Sequence, residues 1–436
     1  MGKISGFLFL FLVLISCNDN SKKTSKAFGT PDLNYANRKL LEIAMEDGFP
    51  PPVASRVYVY PHIAHYITLR SFYPDSLPDI KTKLNGLAAI DLPEKNNANP
   101  ELSALLSFCY TAKKVVFSEH YVNDLTEKFI SMAKSKQLTD EQIKASEKYA
   151  EEITQQLGKW LVKDNYIETR TMDRYTSSKK HGEWTETPPD YTIGLEPHWM
   201  KIRPLIIDSA GIYKTPGPPP YDASKNSAFY KMVIEVYDES KKLDSVKKEI
   251  ALYWDDNPNV SEHKGHLVTM THKISPPGHW LNIIDQVTTR ENSSLFKTTK
   301  AYTIASIVMF DAFISCWYEK YKTNLVRPIT YIRENIDINW KTLIQTPPFP
   351  EYTSAHSATS AAAATVLTNI FGENYSFTDS TEVLFNMPVR KFSSFHDAAW
   401  EVSLSRFYGG IHYKISVEEG NRQGKFIGTI ALTKIQ

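Results

Sequence analysis

Five charged or titratable residues stand in a fixed order in the last third of the chain: Lys320, Arg327, His356, Arg406 and His412. Lys320 lies in AYTIASIVMFDAFISCWYEKYKTNLVRP, residues 301–328, on the same helical face as Trp317 three positions earlier. Pro328 pins the backbone directly after Arg327. In PPFPEYTSAHSATSAAAA, residues 347–364, a helix starts at Thr353 or Ser354, both good N-caps. Its first turn therefore offers free N–H groups and the positive end of the helix dipole beside His356, which makes an anion site with a titratable group next to it. The run Ala361–Ala364 lets neighbouring helices come close. In EVSLSRFYGGIHYKISVEEG, residues 401–420, Gly409–Gly410 breaks the helix that carries Arg406, and lets backbone approach a ligand just before His412. Taken singly, each segment reads as ordinary surface charge or a capped helix with an incidental histidine. The ordered combination is far more specific.

The elements that must hold these residues read as helices. Residues 34–165 are almost wholly helical in pattern: Asn99–Phe117 is one apolar helix, and in 139–164 a Thr139/Gln142 capping box precedes Ile143, Tyr149, Ile153, Leu157 and Leu161. Residues 166–218 are a long Pro-rich connection, of the kind that is functional or wraps the surface. Helices resume at Pro220–Asp238 and Ser240–Trp254, an irregular stretch covers 255–277, and helix dominates from His279 onward. There is no β alternation of any length, no repeat, no GxGxxG and no P-loop, so the expected class is all-α. With 50 Lys plus Arg against 49 Asp plus Glu, the chain has no general field for nucleic acid or anionic membrane, and any basic site must be local. The 8 Trp, 24 Tyr and 21 Phe predict large aromatic packing units.

The N-terminus begins with Lys3 and an apolar run from Phe7 to Ile15, too short to span a bilayer, followed by Leu14-Ile15-Ser16-Cys17, which resembles a bacterial lipobox. The expected organisation is a signal peptide at 1–16, a polar tether at 17–33 after a lipidated Cys17, an N-terminal helical region at 34–215 and a site-bearing region at 216–436. No later apolar stretch is expected to span, so the body is anchored to a membrane; Asn18, where an inner-membrane retention Asp would stand, points to the outer one. Cys109 and Cys316 lie in apolar helical runs and are expected as buried thiols, and no Cys/His spacing suggests structural zinc.

The order Lys-x6-Arg-Pro, Ser-small-His, Ser-Arg-x5-His resembles the superfamily of type 2 phosphatidic acid phosphatases and vanadium haloperoxidases. Trp184 with Pro188–Pro189, the segment Pro197–Pro204, Tyr253–Trp254, SPPGHW at 275–280 and RFYGGIHY at 406–413 are similar to the bacterial vanadium haloperoxidases, in ordered pieces over about residues 180–430. The resemblance implies two four-helix bundles with an oxyanion between them. Lys320, Arg327 and Arg406 would neutralise it, the arginines as planar forks, with Ser354 Oγ and the Ala355 amide completing the cage. It further implies that His412 bonds the central atom, as the nitrogen ligand of vanadate or as a phosphohistidine nucleophile, and that His356 is the acid–base group.

Three readings follow. In a haloperoxidase, hydrogen peroxide and halide, with iodide or bromide favoured, react at protein-bound vanadate. In an acid or lipid phosphatase, a phosphate ester is the substrate and no vanadate is needed. The third is a non-catalytic surface-binding lipoprotein, which has no reason to carry the ordered set. Phe349, seven residues before His356, and Trp317 match aromatics near the haloperoxidase halide and cofactor. Ser416 stands where the phosphatase pattern has an Asp that orients the histidine, and Ala355 replaces the commoner Gly. For the carboxylate that steadies a site arginine, Asp255 or Asp256 is suggested by its place after Tyr-Trp, with Asp311 and Glu401 as alternatives. His396, ten residues before Arg406, could project to the same side of a helix and support the site; His198 and His279 read as packing or supporting groups.

Overall fold

Helix is nearly all of the regular secondary structure in the computed structural model, which describes residues 27–435 other than 89 and 265. The helices, among these residues, are α1 (Thr30–Glu46), α2 (Pro51–Phe72), α3 (Pro100–Ala112), α4 (Glu119–Ser135), α5 (Asp140–Leu161), α6 (Tyr166–Thr169), α7 (Ala228–Lys241), α8 (Ser245–Tyr253), α9 (Pro276–Arg290), α10 (Leu295–Thr323), α11 (Pro328–Asn335), α12 (Ala355–Phe371), α13 (Phe395–Tyr408) and α14 (Lys414–Ile435). Two hairpins interrupt them, β1 (Val260–Lys264) with β2 (Leu267–Thr271) and β3 (Phe377–Asp379) with β4 (Arg390–Phe392). Strands of three to five residues are too short to impose an alternation on the sequence, which is why none was legible. The all-α class holds.

The helix α10 organises the rest. Helices α2, α3, α4 and α5 pack together on one side, α12, α13 and α14 on the other, and α10 touches α2, α12 and α14. One apolar core runs from Phe28 to Ile435, continuous across the 215/216 boundary expected between regions; a smaller cluster joins α7 and α11 through Phe229, Tyr331 and Trp340. By length and composition α10 is also the one described helix able to cross a membrane, against the sequence expectation, but 94% of its most apolar window is buried inside the protein. Its apolarity is that of a core helix walled by other helices.

Asp311, midway along α10, is fully buried. Its carboxylate accepts the backbone N–H groups of Leu205, Ile206 and Ile207 at 2.7, 2.7 and 2.8 Å. Burial pushes Asp311 up to about 6 while these three donors pull the other way. The Pro-rich connection 166–218 is thus tied into the core, with Trp184 and Trp199 buried. Asp311 steadies that connection and no arginine of the site. Cys109 and Cys316 are buried free thiols. Cys17 lies outside the described residues.

The tightest packing is between α12 and α14. A methyl group added at Gly424 would lie 2.0 Å from the Ala358 carbonyl oxygen, and one at Gly420 would lie 2.6 Å from that of Ser354. Ala358, Ala361 and Ala362 on α12 face this glycine stripe and let the backbones meet. Gly424→Ala should therefore push the helices apart and destabilise by roughly 1–3 kcal/mol or more, read as a lowered midpoint of thermal unfolding. A midpoint equal to wild type would show that α14 does not seat this closely.

Candidate active site

Ser354 caps α12, its Oγ accepting the Ser357 N–H at 3.4 Å and the Ser357 hydroxyl at 3.0 Å, which leaves the Ser354 proton for another acceptor. The amides of Ala355 and His356 open the helix, where no carbonyl of its own reaches them. Lys320 sits in the last turn of α10 and is fully buried; its Nζ donates to the carbonyls of Pro350 and Glu351, both at 3.0 Å. Burial and Arg327 lower it to about 7, with Cys316 and Glu351 opposing. Arg327, the N-cap of α11, donates through Nε to the Phe349 carbonyl at 2.9 Å and through Nη1 to that of Ile411 at 2.8 Å. Arg406, near the end of α13, donates through Nη1 to the Trp254 carbonyl at 2.6 Å. Burial depresses both guanidinium groups, Arg327 to about 10.

His412 follows the break that Gly409 and Gly410 make after α13. Gly410 has φ +78°, left-handed backbone that suits glycine, and a methyl at Gly409 would meet Ile344 at 2.5 Å. His412 Nδ1 lies 2.7 Å from Glu351 Oε1, and Arg327 Nη1 lies 3.3 Å from Nε2. A carboxylate accepts and a guanidinium donates, so Nδ1 carries the proton and Nε2 keeps its lone pair on the cationic side. Burial, then Arg327 and Lys320, hold the ring well below the usual histidine range. Glu351 also accepts from the Tyr413 N–H at 2.9 Å and the Ser416 hydroxyl at 2.6 Å. Burial pushes Glu351 up to about 7, with Arg327, Ser416 and Lys320 pulling it down.

Glu351 is the residue that the sequence reading missed. The orienting carboxylate that Ser416 seemed to have cost the site comes from a different segment, and Ser416 now bonds it. The contrast drawn at position 416 therefore separates no histidine ligand from a histidine nucleophile. An acid within the Pro-rich run PPFPEY, five residues before His356, was the available signal.

His356 is half-buried at the wall of the site, with Nε2 3.3 Å from the Asp255 carbonyl. Since a carbonyl only accepts, Nε2 is protonated, and Nδ1 keeps its lone pair with no hydrogen-bond donor among the described residues. Burial and Arg406 hold the ring well below the ordinary range, so it is neutral near pH 7. Of the four suggested carboxylates, Asp255 stands by Arg406, at 4.0 Å from Nη2, and also meets Lys273 at 3.3 Å. Asp256 turns away to His279 at 2.8 Å. Glu401 is bound to Trp254 Nε1 and to Arg390. His396 lies in the first turn of α13 while Arg406 lies in the last; its charged neighbours are Lys425, Glu373 and Asp397, so the shared side does not bring it to the site. His198 bonds the Asp173 carbonyl at 2.7 Å.

A cavity of about 310 Å³ leads in, with Phe349, His356, Arg406 and Asp255 on its walls and prolines such as Pro188, Pro258 and Pro348 around it. Phe349 stands between the cations, 5.0 Å from Lys320 Nζ and 5.2 Å from the Arg327 guanidinium carbon. Trp317 is not on the cavity wall as expected for a halide pocket. It is fully buried behind Phe349, ring centroids 4.9 Å apart, with its N–H on the Leu195 carbonyl.

Arg327 Nη2 and Arg406 Nε are buried without a hydrogen-bond partner among the described residues. Two such guanidinium donors, Lys320, the Ser354 hydroxyl, a helix N-terminus and the His412 lone pair fit a tetrahedral oxyanion such as vanadate. Partners that orient a ligating histidine are worth roughly 10- to 100-fold in affinity. Glu351→Gln should weaken vanadate retention by about that factor and Ser416→Ala by less, measured by equilibrium dialysis. Equal retention in Glu351→Gln and wild type would deny the carboxylate this role.

A family model described as the VCPO second helical-bundle domain matches residues 300–338 and 334–436. No curated protein matches. Among solved structures, one described as the first bacterial vanadium-dependent iodoperoxidase is 41% identical, over 94% of this chain and 97% of that one, with a TM-score of 0.88. A bacterial vanadium-dependent chloroperoxidase, in holo and apo forms, is 15% identical. Its two forms have TM-scores of 0.65 and 0.67 and cover 90% and 89% of this chain, and 95% and 94% of their own. This second likeness shows the fold alone. With the ordered cations, the two histidines and a 41% identical relative matched along nearly its whole length, the chain belongs to the vanadium-dependent haloperoxidase family.

Proposed function

We propose that the protein oxidises iodide with hydrogen peroxide at a bound vanadate. The observation that carries this is the 41% identical relative described as a vanadium-dependent iodoperoxidase, together with a His412 ring that keeps its Nε2 lone pair among three buried cations while Glu351 holds Nδ1. Iodide is favoured over bromide because the 41% identical relative is described as an iodoperoxidase, and because iodide is the easier halide to oxidise. Vanadate supplies a Lewis-acid centre that activates peroxide toward halide. Lys320, Arg327 and Arg406 neutralise its oxygens, and Ser354 with the Ala355 amide fixes their orientation. His412 Nε2 is the ligand nitrogen. His356, neutral and with Nδ1 free, takes the proton from hydrogen peroxide at the cavity wall. Halide reaches the site through the same cavity, past Phe349 and Arg406.

The test uses residues 18–436 with orthovanadate and follows peroxide-dependent oxidation of iodide, bromide and chloride. Iodide should turn over best. His412→Ala should lose both vanadate and activity, whereas His356→Ala should keep vanadate and lose about 10²- to 10⁴-fold in kcat. Since the same cage accepts phosphate, phosphomonoester hydrolysis is run in parallel without vanadate. Robust hydrolysis with no halide oxidation at any vanadate concentration would overturn the proposal.

We further propose that Cys17 is lipidated and holds the enzyme at the outer membrane. The leader, the lipobox-like LISC and the polar residues that follow support this. Cys17→Ser should then move the protein from the membrane fraction to the soluble one. Unchanged fractionation would count against it.

A further inference from the structure

A second buried cluster carries ligand chemistry that halide oxidation does not use. Asp256 comes from the loop after α8, His279 from the first turn of α9 and Glu382 from a 3-10 turn, Thr381–Phe385, between β3 and β4. All three are buried. One oxygen of each acid and one ring nitrogen of the histidine lie within 4.8 Å of one another. His279 Nδ1 is 2.8 Å from Asp256 Oδ1 and 3.9 Å from Glu382 Oε1, and Nε2 is 2.8 Å from Asp379 Oδ2. Asp379 is itself fixed by the Thr381 N–H and hydroxyl at 2.9 and 2.7 Å.

Glu382 Oε1 is the informative atom. It is buried, aimed at this cluster, and has no hydrogen-bond partner among the described residues. An imidazolium held between Asp256 and Asp379 would satisfy the histidine. It would leave Glu382 Oε1 without a donor, and Asp256, Asp379 and Glu382 facing that charge with Lys273, which pairs with Asp255, as the further cation near Glu382. A divalent cation resolves both, because it gives Glu382 a partner and brings two charges. Nδ1 then ligates while Nε2–H donates to Asp379, the usual way in which a carboxylate orients a metal-bound histidine.

We infer that Asp256, His279 through Nδ1 and Glu382 form a divalent-cation site separate from the oxyanion site. One imidazole nitrogen and two carboxylate oxygens, without thiolate, suit Zn²⁺ or Mn²⁺. The cation ties the Asp255–Asp256 loop to α9 and to the 3-10 turn. Its consequence for the known site is positional: the Asp255 carbonyl accepts from His356 Nε2 and lies 3.3 Å from Arg406 Nη1.

The experiment uses the chain purified without a polyhistidine tag and with vanadate omitted. Metal content is measured by plasma mass spectrometry, then the protein is stripped with chelator and titrated with ZnCl₂ or MnCl₂ by calorimetry and thermal unfolding. Expected are about one equivalent of metal per chain, a raised unfolding midpoint on reloading, and Co²⁺-loaded protein with visible absorption bands. Glu382→Gln, which keeps size and shape, should bind at least about tenfold more weakly and lose the bands. Wild type that takes up no metal and shows no shift at millimolar Zn²⁺ or Mn²⁺ would overturn the site. So would equal affinity in wild type and Glu382→Gln, which would put the metal elsewhere.

Discussion

Lys320, Arg327 and Arg406 are held by carbonyl oxygens of Phe349, Pro350, Glu351, Ile411 and Trp254, and their heads are buried. Carbonyls orient a cation without cancelling its charge, so the site concentrates positive potential in a volume that water does not screen. Burying such charge is costly, and the group that relieves it is an anion. Glu351 is committed to His412, Tyr413 and Ser416, and Asp255 reaches Arg406 only at 4.0 Å. Selectivity for an oxyanion therefore arises from donors left incompletely neutralised, and every other element serves to keep them so.

Two short stretches do most of that holding. Residues 349–351 supply three carbonyls and the Glu351 carboxylate, and they join the end of α10 to the start of α12. The stretch 254–256 supplies the carbonyls for Arg406 and His356. Each is in turn held by the core: Phe349 packs on Trp317 with ring centroids 4.9 Å apart, and Trp254 stacks on His279 at 4.4 Å and bonds Glu401. The aromatic surplus in the composition is in this sense structural support for a charged site, with large rings whose one polar atom fixes an orientation.

Close contact of α12 and α14 sets the remaining geometry. Gly420 lies against Ser354, so the glycine stripe determines where the α12 N-terminus and the residues after His412 stand relative to each other. The Ser354 N–H donates to the Ser416 carbonyl at 3.0 Å, which joins the same two elements. Ser354 and His412 are 58 residues apart in the chain and belong to one cage only because no side chain intervenes between the helices.

The helical class, the site-bearing helices and the ordered set Lys320, Arg327, Ser354, His356, Arg406 and His412 were legible in the sequence, because helical period, capping and glycine breaks are local properties. Which carboxylate partners which cation was not. Asp255 and Asp256 are neighbours in sequence, yet one faces Arg406 and the other His279, and Glu351 reaches His412 across 61 residues. His396 shows the same limit from the other side: helical rotation placed it on a plausible face, but axial rise separates it from the site. Trp317 was read as a pocket wall, whereas Phe349 shields it. The sequence determined which chemistry was possible because residue types carry it. Only the tertiary structure decided the pairings, because charges and hydrogen bonds act over a few ångströms, and chain order does not encode those distances.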